Sequence, residues 1–236
     1  MRIVTWNCNG AFRKKFSQVA GFDADIYVIQ ECENPAESGN PPYQRWAKNH
    51  IWTGDTKNKG LAVFARPEID LEKLDWSNRF EGHFVKHFLP CRINRDFELL
   101  AVWTHRNNSP NFGYIGQFWK YLQVNKARLN TSIVAGDFNS NAIWDEWDRW
   151  WNHPDVVNAL KQIGIESLYH AHTGEQQGKE TKATLFFQRK RERPYHIDYV
   201  FASKKFRKRL KKFEIGQVGE WLEFSDHMPI FCEIDM

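Results

Sequence analysis

The chain has 236 residues, and its 33 Lys and Arg outnumber 29 Asp and Glu for a net charge of +4. With 42% hydrophobic and 26% charged residues it has an ordinary globular composition, which excludes collagen-like and disordered chains. No stretch approaches the ~20 uncharged apolar residues of a membrane span, and the apolar run within Met1 to Asn7 is too short for a secretory signal, so a soluble protein is expected.

Runs rich in β-branched residues predict strands over 2–7, 25–31, 60–66, 97–104, 131–136, 195–203 and 228–234. Weaker strands are predicted over 83–89, 183–188 and 213–219. Helical spacing falls over 12–20, 114–127 and 154–164, the last closed by Gly164. The stretch 33–58, with Pro41 and Pro42, reads as a long surface loop. Alternating strands and helices without a Pro- or Gly-rich linker predict one α/β domain over 1–236. Cys8, Cys32, Cys91 and Cys232 show no Cys-x-x-Cys spacing and lie in or beside apolar runs. They read as reduced thiols of a cytoplasmic protein.

Polar residues recur at the strand ends. Asn7 and Glu31 close the first two runs, His105 follows the fourth, and Asp137 and Asn139 follow the fifth. Asp198 interrupts an apolar run, and Asp226 and His227 precede the last strand. Any one of these is an ordinary turn former or cap. A full set on one rim is hard to attribute to turns, and Asp198, flanked by Ile197, Tyr199 and Val200, needs a partner if buried. Hard cations such as Mg²⁺ take oxygen ligands and few carboxylates. A His held by an Asp moves protons near neutral pH. Asp137 and Asn139, two apart, share one side of an extended chain.

The motifs W-N-C-N-G at 6–10, I-Q-E at 29–31, G-D-F-N at 136–139, H-I-D-Y at 196–199 and S-D-H at 225–227 resemble the endonuclease/exonuclease/phosphatase superfamily. The similarity is to its nuclease branch, the exonuclease III-type and pancreatic-type deoxyribonucleases. It implies a four-layer α/β/β/α sandwich of two packed mixed β-sheets with outer helices, and a phosphoester hydrolase dependent on Mg²⁺ or Mn²⁺. In that comparison Glu31 is the principal metal ligand, assisted by Asn7, Asn9 and Asp226. Asp137 orients or deprotonates the attacking water, and Asn139 holds a phosphate oxygen. His227, hydrogen-bonded by Asp198, polarises the phosphate. Exonuclease III-type enzymes carry a Tyr within an N-x-Y motif where V-W-T-H-R stands here. His105 at that point is more like the pancreatic-type enzymes and the phosphatases, where it protonates the leaving oxygen; Arg106 beside it is assigned to substrate. Phe186 and Phe187 fall near the aromatics that face an extruded sugar, and Trp221 or Phe224 near one just before S-D-H.

Charge is segregated. Residues 182–212 hold twelve Lys or Arg and two acids, a balance of +10, which leaves −6 for the remainder. Arg189, Lys190 and Arg191 precede Asp198, and Lys204 and Lys205 open a run of seven bases within 204–212. Flanking Asp198 on both sides, this segment is expected beside the site, neutralising phosphates. Trp144, Trp147 and Trp151 have the spacing of one helical face, core or base-stacking platform. A nuclease fits best, with nucleic acid as partner, DNA before RNA, in repair or degradation. A monomer with no membrane contact and no obligate protein partner is expected. The alternatives are a phosphomonoesterase acting on a nucleotide or small phosphorylated molecule, and a basic binding protein with an inactive site.

Overall fold

A computed structural model describes residues 1–107, 109 and 111–236. Two six-stranded sheets are built from twelve strands. In chain order these are β1 (Arg2–Asn7), β2 (Ile26–Cys32), β3 (His50–Thr56), β4 (Lys59–Ala65), β5 (Leu71–Lys73) and β6 (Phe88–Ile93). There follow β7 (Phe97–Trp103), β8 (Ile133–Asp137), β9 (Ile165–Ser167), β10 (Asp198–Ser203), β11 (Leu210–Ile215) and β12 (Ile230–Ile234). The first sheet runs β11-β12-β1-β2-β4-β3 and the second β9-β10-β8-β7-β6-β5. Both repeat one neighbour pattern: a central parallel pair, β1 with β2 and β7 with β8, and antiparallel pairing everywhere else.

The two sheets pack face to face because alternation along each central strand gives them two apolar faces. Ile3, Val28, Val63, Leu99, Ile133, Val200 and Cys232 meet between the sheets. Val4, Trp6, Tyr27 and Ile29 face outward onto α1 (Phe16–Ala20) and α2 (Pro41–Trp46) through Val19 and Tyr43. On the far side Leu100, Val102, Val134 and Phe201 pack against α3 (Ile115–Asn125) and α4 (His153–Gln162) through Phe118, Leu122, Val156 and Leu160. The result is a four-layer α/β/β/α sandwich with three apolar interfaces, each buried aliphatic side chain contributing roughly 1.5–3 kcal/mol.

The inner face continues past the core. On β1 it reads Ile3, Thr5, Asn7; on β8 it reads Ile133, Ala135, Asp137; on β10 it starts at Asp198 and proceeds through Val200 and Ala202. Alternation that fills the sandwich therefore ends in polar groups at one rim.

Some expectations differ. The 33–58 stretch is not a loop: it holds α2 and the edge strand β3. Asn40 caps α2, its Oδ1 accepting the Tyr43 N–H at 3.0 Å, and Pro41 and Pro42 occupy the first turn, where a missing N–H costs nothing. The 195–203 run breaks into a short ribbon strand, Pro194–Tyr195, and β10, and 213–219 ends in a helical turn, Val218–Trp221. All four cysteines are buried free thiols. Among the described residues no helix is long and apolar enough to cross a membrane.

Gly136 shows how tightly the parallel pair is built. It has φ 150°, and a Cβ placed there would run into the Val102 carbonyl oxygen of β7. Gly136→Ala is expected to cost about 3 kcal/mol or more, read as a fall of about 10 °C in Tm. An unchanged Tm would mean that β7 and β8 have slack that this register denies.

Candidate active site

Each parallel pair delivers its C-terminal ends to the same rim, and the antiparallel neighbours β10 and β12 begin there. Asp137 and Asp198 are cross-strand partners, fully or almost fully buried. The Asn7 amide reaches across from the first sheet to donate to Asp137 Oδ2 at 2.9 Å. Asn139 donates its backbone N–H to Asp137 Oδ1 at 2.8 Å and its side-chain amide to Oδ2 at 2.9 Å. His227 Nδ1 contacts both Asp198 oxygens, at 3.1 and 2.9 Å. Ser225 ties the last motif to the first strand: its hydroxyl donates to the Asn7 carbonyl at 2.8 Å and accepts the His227 N–H at 3.0 Å. The Trp6 indole donates to the His227 carbonyl at 2.9 Å.

Glu31 arrives by a different device. It is out of phase with the inner face, but a bulge between Gln30 and Cys32 and a left-handed backbone (φ 63°) reorient it. Its Oε1 then lies 3.5 Å from the Asn7 amide, and its Oε2 pairs with the Lys59 ammonium of β4 at 2.9 Å. Asn9 (φ 52°) and Asn139 (φ 43°) are also left-handed, a conformation Asn tolerates. Asn9 donates to Asp226 Oδ1 at 3.0 Å.

Electrostatics separates the two buried acids. Burial pushes the Asp137 carboxyl up to about 7, with Asp198 adding repulsion, while His227, the Asn7 amide and the Asn139 N–H pull the other way. Burial alone would lower the His227 pKa; the charge and hydrogen bond of Asp198 outweigh it and raise it to about 10. His227 is therefore an imidazolium at neutral pH. Among the described residues the convergent acid and His groups able to hold a metal are Asp137, Asp198 and His227, with ligating atoms within 4.8 Å. His227 and Asp198 are already committed to each other. The neighbouring donors, Glu31, Asn7, Asn9 and Asp226, offer oxygen, which suits a hard cation, and Glu31 already carries a displaceable cation in half-exposed Lys59.

A cleft of about 350 Å³ opens over these groups, lined by Tyr114, Trp144, Phe187 and Tyr195 with Asn139, Asp226 and His227. His105 and Arg106 are exposed at the rim; the His105 ring lies edge-on to Trp103 and to His87. The ribbon formed by Leu185–Phe186 and Pro194–Tyr195 abuts the site, Phe186 N–H donating to the Asp226 carbonyl at 2.7 Å. Arg189 braces that ribbon through the carbonyls of Glu223 and Phe224, and Lys190 and Arg191 are exposed on its turn.

Other assigned residues lie elsewhere. Phe186, Trp221 and Phe224 pack into the outer core of the first sheet, where Trp221 stacks on Phe22, rather than into the cleft. Lys204 and Lys205 sit at the opposite end of the sandwich, because β10 starts at the site and runs away from it; Lys205 pairs with Asp96 in the β6–β7 turn. The segment after Asn139 is not a helix: a 3-10 turn, Ala142–Trp144, gives way to irregular chain up to α4. Lys59, Tyr114 and Tyr195 were not singled out from the sequence, and Ser225, though inside the S-D-H motif, was given no role there. Trp144 is a cleft wall.

The Endonuclease/Exonuclease/phosphatase family model matches residues 4–227. No curated protein matches the chain. Among solved structures the fold is similar to a 3′-5′ exonuclease (NExo) from Neisseria meningitidis, at TM-score 0.71 and 20% identity over 100% of both chains. It is similar to an AP endonuclease from Archaeoglobus fulgidus, at TM-score 0.72 and 17% identity over 100% of both chains. A structure described as the 3′ phosphatase NExo from Neisseria bound to product DNA hairpin matches at TM-score 0.70 and 20% identity, again over 100% of both chains. At these identities the likeness shows the fold.

In Asp198→Asn the His227 imidazole stays buried and loses its main counter-charge, keeping only the charges of Asp137 and Asp226, so its pKa should fall well below about 10. NMR titration of the ring protons reads this directly. An imidazole still protonated above pH 8 in the variant would remove Asp198 as the cause.

Proposed function

The chain belongs to the Endonuclease/Exonuclease/phosphatase family, and we propose that it is a monomeric, cytoplasmic, divalent-metal-dependent phosphodiester hydrolase of nucleic acid, DNA before RNA, serving repair or degradation. The observation that carries the reading is the hydrogen-bonded set joining Asn7, Asp137 and Asn139 to the Asp198–His227 pair beneath an aromatic cleft.

Glu31, with Asn7, Asn9 and Asp226 at hand, would hold Mg²⁺ or Mn²⁺, which when bound would supply positive charge against the phosphate oxygens. Asp137, a carboxyl held near neutrality by burial, accepts a proton from water aligned for in-line attack on phosphorus. Asn139 holds one phosphate oxygen. His227 gives Nδ1 to Asp198, which leaves Nε2 to meet another oxygen as charge builds in the transition state. His105, on the rim, protonates the leaving oxygen. Tyr114, Trp144, Phe187 and Tyr195 enclose the sugar and base attached to the phosphate.

A second reading, a phosphomonoesterase using the same residues, is favoured by the fold shared with a Neisseria protein described as a 3′ phosphatase.

The test is a cleavage panel with Mg²⁺ and with Mn²⁺: single- and double-stranded DNA, RNA, an abasic duplex and a 3′-phosphate end. Internal cleavage is expected to exceed release of inorganic phosphate; the reverse favours the phosphomonoesterase. Glu31→Ala, Asp137→Asn and His227→Ala should each lower turnover by roughly 10²-fold or more with the circular dichroism spectrum preserved. Full turnover in all three, or in EDTA, defeats the assignment.

A further inference from the structure

A second cavity, of about 320 Å³, adjoins the cleft and shares Tyr114, Asn139 and Trp144 with it. Its lining adds Arg106, Arg149 and Trp151. Among the described residues neither Arg106 nor Arg149 forms a salt bridge or donates a side-chain hydrogen bond. Two uncommitted guanidinium groups in a cavity open to a phosphoester site point to an anion. The lining carboxylate, Asp145, is turned to the protein, accepting the His153 N–H at 3.2 Å.

The segment between Asn141 and His153 is held at both ends. The Asn141 amide donates to Glu180 Oε2 at 3.1 Å, to the His196 carbonyl at 2.9 Å and to the Tyr199 hydroxyl at 3.2 Å. At the other end Trp151 stacks on Phe112 at 3.9 Å and rests on Gly116, where a Cβ would come within 2.8 Å of the indole. His153 contacts the Ser140 hydroxyl at 3.2 Å and Gln177 Oε1 at 3.0 Å.

Between these anchors the chain displays Ile143, Trp144, Trp147 and Trp150, which are 55, 44, 97 and 63% exposed. So much indole surface in water on an anchored segment marks a binding face. Glu146 and Asp148 alternate with the indoles. An exposed indole offers a stacking face that an unpaired base can take up and a base already stacked inside a duplex cannot.

We propose that this cavity and its tryptophan rim form a subsite for an unpaired nucleotide next to the scissile phosphate, so that the enzyme engages single-stranded nucleic acid in preference to a duplex. The base stacks on Trp144 and Trp147, and its phosphate meets Arg106 and Arg149. The proposal rests on the phosphoesterase reading of the adjoining site, but its test needs no turnover.

In EDTA, fluorescence anisotropy compares a labelled oligothymidylate with a blunt duplex of equal length. The wild-type protein should bind the single strand at least tenfold more tightly. Trp147→Ala and Arg149→Ala should each weaken single-strand binding about tenfold. Arg149→Ala should also flatten the salt dependence by about 0.7 in log–log slope, whereas Trp147→Ala should not. Equal or tighter duplex binding overturns the proposal, as does wild-type affinity in both variants. Absence of turnover in Mg²⁺ and Mn²⁺ with these binding effects intact would defeat the hydrolase reading and leave the subsite standing.

Discussion

Asp137 and Asp198 face each other across antiparallel strands, both removed from water. Like charges directly opposite in a sheet repel, and a buried carboxylate without partners costs several kcal/mol. Each acid is stabilised by a different route. Asp198 takes the His227 imidazolium, and Asp137 takes two amides and a backbone N–H. These partners constrain the surrounding chain. The entry to β12 must bring His227 to β10, and β1 must end at Asn7. Because Asn7 belongs to the other sheet, the acid pair also sets how the two sheets meet at this rim. The groups proposed for chemistry are the same groups that make the acid pair tolerable.

The shared pattern of the two sheets explains why so much converges on one edge. A parallel pair sends both its C-terminal ends the same way, and an antiparallel neighbour begins where they finish. Asn7, Asp137 and Asp198 were legible in the sequence because each is a polar residue that closes or interrupts an apolar run. Glu31 was legible in the same way, at the end of the second run and in its motif, but how it turns inward was not, since the bulge and left-handed backbone depend on the pairing of β2 with β4. Lys59 reaches Glu31 through the same pairing, and no local pattern announces it.

Other features were hidden because they depend on contacts between distant segments. The tryptophan spacing of three and four is real, yet Asn141 is bound to Glu180 and Trp151 to Gly116 and Phe112, contacts that favour an irregular path over a helix. Pro41 and Pro42 were read as breakers when Asn40 just before them is a capping residue, a signal the sequence did contain. Phe186 and Phe187 are adjacent in the chain but opposite in fate: Phe186 ends the ribbon strand and packs against the core, while Phe187 opens a 3-10 turn and lines the cleft.

The basic run after Asp198 misled for a geometric reason. Six residues of β10, at about 3.3 Å each, span roughly 20 Å, and the Debye length at physiological salt is about 8 Å. Charges on 204–212 are therefore screened from a phosphate at the site. Several are neutralised locally: Arg207 pairs with Glu166, Lys211 with Asp235 and Lys212 with Glu214. Lys211 and Lys212 lie on β11, an edge strand with one open side. Lysines on such an edge oppose strand-to-strand association with other chains, which gives the run a physical role without a polyanion. Near the site, Lys59 is committed to Glu31, and Arg189 to backbone carbonyls. Among the described residues, that leaves Arg106 and Arg149 as the uncommitted guanidinium groups facing the cavity beside the cleft. On the proposed reading, affinity for a phosphate chain comes from a few placed charges and the exposed indoles rather than from net charge.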